Sequence, residues 1–388
     1  MSLHTVFASV AGQEDSSVAV VTEATVEQLV EAQVEAEVAE ATAEVAEIEK
    51  DMDKIELSMD AIEDKVEELE EAIEGMESML AGSVEFNAGL FAHQFAQATK
   101  IANRFGGEQV AVLGAESLAD AGTAQLNAVA GIESFKEKLS AGASAVKGFF
   151  VELYNSFINF VTGIFNKYKA LGNKATALKT KVEAKKEFEG EVKRPKAAGW
   201  VAADGKGPDV AALMSKVLSD ADAVATGKWM KAADAVNSVK AIGQSSPSGS
   251  TENTATFKVQ VGTGVVTCVV PKTEAGLGSA DIAVGSASTD LTAIKSMSKE
   301  GLVGLCNSVS AEIGKIQSQK LDGKALAAKR DKVIAELEKY QKENGAKNQS
   351  YIAAARAGHK AILRIQRGVL KLGEQILGAK LALVAAHV

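Results

Sequence analysis

The sequence predicts a mainly α fold: a long N-terminal coiled-coil helix followed by an elongated helical bundle with one small β-hairpin. Three observations lead there. Only 4 prolines occur in 388 residues, and Ala, Glu and Lys, all good helix formers, are abundant. Apolar residues between Val45 and Leu80 recur at alternating spacings of three and four. A strand-like alternation stands out at one place, Thr256 to Val270, where Gly262-Thr263-Gly264 supplies a turn.

The first element is residues 1–85. Val45, Met52, Met59, Val66, Ile73 and Leu80 form one row, and Ile48, Ile55, Ile62, Leu69 and Met76 form the other. Together they make a heptad seam, with Glu or Asp at most other positions. Val26, Val30, Val34 and Val38 continue a looser stripe upstream, and Gly82 is the expected helix stop. So acidic a helix repels a copy of itself, which leaves a basic partner or the chain's own body as its expected surface.

The body divides into residues 86–195, 196–290 and 291–388. Helices are expected over 88–105 and 108–130, separated by Gly106-Gly107, with a longer stretch starting near Ile132. In that stretch Phe150, Leu153, Tyr154, Phe157, Val161, Ile164 and Phe165 share a face. A core-facing helix explains it, and so does a membrane-active one. Lys169 to Lys196 then turns basic, with Lys181, Lys185 and Lys186 as candidate phosphate contacts or plain solvated surface. A helix is expected from about Val210 to Ile242. Loops at Gln244–Asn253 and Gly276–Ser288 flank the hairpin at 255–271, and helices follow near Thr289–Lys320, Gly323–Glu343 and Gln349–His387. In the last, Arg356, Lys360, Arg364, Arg367 and Lys371 are spaced four, four, three and four. That spacing makes one basic stripe, the leading candidate for polyanion contact.

Charge separates arm from body. Residues 1–85 hold 24 acidic and 3 basic residues, a balance of −21; the rest hold 27 acidic and 39 basic, a balance of +12. The boundary coincides with Ser83-Val84-Glu85. Ala61-Ile62-Glu63 and Ala72-Ile73-Glu74 repeat the small-x-Glu pattern inside the coil, where a protease would reach it less easily.

Catalytic patterns are missing. There is no Gly-rich loop followed by Gly-Lys-Ser/Thr, and Gly276 to Asp281 lacks the third Gly of a dinucleotide fingerprint. The four histidines have no second ligand at metal spacing, and Cys268 and Cys306 form neither a disulfide framework nor a nucleophile arrangement. The expectation is no enzyme, no cofactor and no metal. No segment is a clean membrane span, since Glu152, Asn155 and Asn159 interrupt Gly148 to Phe165.

The acidic helical arm, the Ser83-Val84-Glu85 boundary with its two inner copies, and the basic helical body resemble the internal head proteins of phiKZ-type giant tailed bacteriophages. The resemblance implies cutting by a prohead protease after small-x-Glu, here at Ser83, Val84 and Glu85. It also implies packing in the capsid interior with genomic DNA, bound non-specifically, and ejection of some members into the host. Assembly in the host cytoplasm, contacts from the coiled coil to capsid or prohead core proteins, and a homo-oligomer are further expectations. Two other readings fit the residues: a pore-forming helical protein that meets the host membrane through 148–165, and a coiled-coil scaffold that keeps its arm.

Overall fold

A computed structural model of the chain describes residues 23–105, 121–188, 190–225, 228–287, 292–319, 323–344 and 349–388. The first 22 residues and the stretch 106–120, which includes most of the expected 108–130 helix, lie outside these. Helix makes up 72% of the chain, so the mainly α expectation holds. In chain order the helices are α1 (Glu23–Leu80), α2 (Ala88–Ala102), α3 (Ala121–Ala184), α4 (Val210–Val224), α5 (Met230–Lys240), α6 (Lys299–Gln317), α7 (Gly323–Asn344) and α8 (Gln349–Ala385).

Three long helices set the architecture. Glu35 and Glu77 of α1 pair with Lys174 and Lys136 of α3, at 3.9 and 2.9 Å. As one residue number rises the other falls, so α1 runs antiparallel to α3. Helices α3 and α8 run in the same direction: Tyr154 Oη and His359 Nδ1 are 2.7 Å apart, and Lys167 meets Glu374 at 2.9 Å. Burial holds His359 down to about 4, so its ring is neutral at ordinary pH and serves as a hydrogen-bond partner.

The apolar seam of α1 faces α3 and α2, and α8 reaches α1 through charged side chains. Val45, Met52, Met59, Val66, Leu69, Ile73 and Met76 are buried, and Ile48, Ile55, Ile62 and Leu80 are partly buried against the same core. Each fully buried side chain of this kind contributes about 1.5–3 kcal/mol by transfer from water, before the entropy of ordering is charged against it. Phe150, Leu153, Tyr154, Phe157, Phe160, Val161 and Ile164 of α3 belong to that core as well. The Phe-rich face is therefore core, and among the described residues no helix is long and apolar enough to cross a membrane.

Helix α1 ends where Gly82 takes φ 74°, letting Ser83 N–H donate to Ser78 O and Gly82 N–H to Met79 O. Only glycine adopts that conformation without strain. The side chain of Asn87 then accepts from Leu90 N–H and caps α2.

The β structure is larger than one hairpin. Strands β2 (Gln244–Ser250), β3 (Thr254–Val261), β4 (Gly264–Pro271) and β5 (Asp281–Ala287) form an antiparallel sheet in that order. Strands β1 (Glu191–Lys193) and β6 (Ala293–Lys295) form a second, two-stranded one. The predicted hairpin is β3–β4, with Phe257 opposite Cys268. The flanking segments, expected as loops, become strands because the hairpin offers them backbone partners. Every residue of β2 is exposed, so its own side chains gave no signal. The helix expected over 210–242 is two helices, and the one expected from Thr289 begins at Lys299, where the Ser298 side chain accepts from Gly301 N–H.

Candidate nucleic-acid interface

The basic stripe of α8 is a built site, and α1 already occupies it. Arg364 Nε donates to Glu56 Oε2 at 2.7 Å, Arg367 Nη1 to Asp53 Oδ1 at 2.8 Å, and Lys371 Nζ to Glu49 Oε2 at 2.7 Å. Lys360 pairs with Asp60. The four cations follow one another at four, three and four residues, and so do the four carboxylates, in the opposite direction. Antiparallel helices with equal rise per residue bring such rows into register pair by pair.

These groups are partly withdrawn from water. The side chains of Lys360, Arg364 and Arg367 are only 10, 20 and 17% exposed, and Glu56 is 7% exposed. Arg364 Nη1 also donates to Gly278 O at 2.9 Å, tying the row to the short 3-10 helix before β5. Burial opposes the charge of Arg367, but Glu56, Asp53 and Asp281 outweigh it and raise its pKa above the usual value. Burial raises the Asp281 carboxyl, with Arg367 and Arg364 pulling the other way. The Arg364–Glu56 pair, largely withdrawn from water on both sides, gains more than it would on open surface.

Glu70, further along α1, shows the cost of the same arrangement. Burial first, then Glu74 and Glu67, raise its pKa from 4.5 to about 7, and Arg356 offsets part of the rise. A raised carboxyl is protonated in both the docked and the free helix below about pH 4.5, where it imposes no penalty. Its charge opposes docking progressively as pH climbs to 7 and fully above it. Glu70→Gln should therefore raise the melting temperature at pH 8 and leave it nearly unchanged at pH 4.5, measured by circular dichroism against the parent at each pH. Equal shifts at both would show that the Glu70 charge plays no part.

The boundary motif lies in an accessible loop. Ser83, Val84 and Glu85 are exposed, Val84 at 55%, and the chain from Glu85 to Asn87 has no regular structure. In the inner copy at 72–74, by contrast, Ala72 and Ile73 are buried within α1. Ala61 and Ile62 of the other copy are helical too. Of the remaining candidates, Lys185 donates to His387 O at 2.7 Å and lies over the Phe188 ring. Lys181 and Lys186 sit beside it at the C-terminal end of α3, apart from the α8 row. The four carboxylates that cover the row were not singled out from the sequence, although their mirrored four-three-four spacing was there to be read.

The model of a protein family, phiKZ-like phage internal head proteins, matches residues 40–387. The chain belongs to that family. It is a bacteriophage virion protein of the capsid interior. No curated protein and no solved structure gives a match. The matched range of this internal head protein takes in Glu49, Asp53, Glu56 and Asp60 as well as the α8 row, so arm and body both fall within the family's pattern.

Proposed function

We propose that this internal head protein is a non-enzymatic DNA companion, packaged with the genome after its acidic arm has been cut away. The observation that carries this reading is the one-for-one cover of the α8 cations by carboxylates of α1. While the arm is docked, four of the best-placed cations are neutralised and phosphate meets an arm of net charge −21. Hydrolysis of the Glu85–Phe86 bond adds water across the amide, leaving a carboxylate on Glu85 and an amino terminus on Phe86. The covalent body then carries +12. A row of fixed cations without base-reading groups binds phosphate by displacing counterions, whatever the sequence.

The prohead protease is the proposed agent of the cut, and the exposed Ser83-Val84-Glu85 loop its substrate. The seam of α1 acts as a coiled-coil face toward the body, which leaves the outer acidic face to meet capsid or core proteins during assembly in the host cytoplasm. Ejection with the genome follows from association with it.

The test is the intact mass and N-terminal sequence of the protein from mature heads. A chain starting at Phe86 is expected, and Glu85→Gln should retain the arm. A mature chain starting at Met1 or Ser2 would favour a scaffold that keeps its arm throughout.

A further inference from the structure

We infer that the face of α3 and α2, bordered by the cation row of α8, is a receptor for an acidic amphipathic helix, and that it keeps residues 23–80 as a separate chain after the cut at Glu85. This rests on the proposed cut, and deepens that reading by naming what the body binds at the moment it is processed.

Ser83, Val84 and Glu85 are exposed and lie beyond the end of α1. Hydrolysis there removes none of the contacts that dock the helix. Those contacts run its length, from the Glu35–Lys174 pair to the Glu77–Lys136 pair, with the buried seam and the four α8 ion pairs between. Over 42 residues that is a groove about 60 Å long. Helix α2 follows the cut, packs against α1, and is joined to the body where the Phe95 ring meets Phe135 of α3 edge-on at 5.0 Å between ring centres.

What the cut does remove is the tether. A short tether holds the arm at an effective concentration of about 1 mM, so once it is cut the arm stays only if its dissociation constant lies below the concentration of the separate chains. A helix burying Val45, Met52, Met59, Val66, Leu69, Ile73, Met76 and Met79 in one continuous seam binds far more tightly. Docking also shields the inner Ala72-Ile73-Glu74 motif, because Ala72 and Ile73 are buried while the helix is seated. The first product is therefore a two-chain complex whose cation row is still filled. A linear polyanion competes for the row, and the arm leaves as it binds.

The experiment uses the full chain with a site for a sequence-specific protease inserted between Gly82 and Phe86. After complete cutting, the protein is run on a sizing column at about 10 μM and low salt, with and without a duplex of mixed sequence. The arm is expected to co-elute with residues 86–388 and to be released as duplex is added. Separation of the arm in the absence of DNA overturns the inference, and leaves the DNA reading intact if the freed body then binds duplex. An arm that stays bound however much duplex is added supports the receptor groove and overturns the DNA reading instead. In the cut protein, Met59→Lys should lose the arm while Met59→Leu keeps it; loss in both, or in neither, would count against a seam-held complex.

Discussion

Replacing Met52 and Met59 together by lysine should release the acidic helix from an uncut chain and switch on DNA binding. Both side chains are fully buried in the seam of α1, and Met59 lies beside Asp60, within one turn of Glu56, the carboxylates that hold Lys360 and Arg364. Two ammonium groups placed there lose their hydration and find no partner, at a cost of several kcal/mol each unless the helix lifts away. Lifting exposes Lys360, Arg364, Arg367 and Lys371 at once. The affinity for a labelled duplex should rise at least tenfold, read by fluorescence anisotropy. Neutralising four phosphates adds about −3.6 to the slope of log affinity against log salt. Leu57→Lys is the control: it adds a like charge to the same helix at a side chain 70% exposed, and should change neither quantity much. A double variant with a mobile arm and unchanged affinity would remove the mask from the account.

The second large effect concerns the element that carries the row. Gly368 sits directly after Arg367, and a Cβ there would fall 2.0 Å from Ile282 O and 2.9 Å from Ile282 C. The obstacle is the backbone of β5, which a side-chain rotation cannot clear. Gly368→Ala therefore forces α8 and the sheet apart, and should cost about 3 kcal/mol, the upper end of ordinary overpacking. Urea unfolding followed by circular dichroism measures it. Gly304→Ala in α6 has open space around the new methyl and should be neutral or slightly stabilising. Equal effects at the two positions would mean that α8 does not depend on this close approach.

Much of this organisation can be read from the sequence, within a physical limit. The seam from Val45 to Leu80 identifies a buried face because helical periodicity is local. The stripe from Arg356 to Lys371 is legible for the same reason, and Gly82 marks the end of α1. What local pattern does not carry is the partner of each face. That the seam turns onto α3 and the acidic row onto α8 depends on contacts between residues up to 322 positions apart, such as Glu49 and Lys371. The buried Lys167–Glu374 and Lys380–Glu312 pairs are invisible for the same reason, since each residue alone reads as surface. The strand at Gln244–Ser250 was missed differently: its Ser, Gly and Pro residues favour a loop, and only hydrogen bonding to β3 makes it a strand.

The layering of α1, with an apolar seam flanked by a charged row, has a bearing on ionic conditions. Dense packing of DNA brings a dense cloud of counterions, and near 1 M salt the screening length falls to about 3 Å. Screening weakens the grip of α8 on Glu49, Asp53, Glu56 and Asp60, and the proposed grip on phosphate would weaken with it. It leaves the seam of Met52, Met59 and Leu69 untouched, because burial of apolar surface does not depend on charge. Ionic strength is therefore a one-sided dial: turning it up would cost the proposed nucleic-acid contact nearly all of its hold, and the arm only a part.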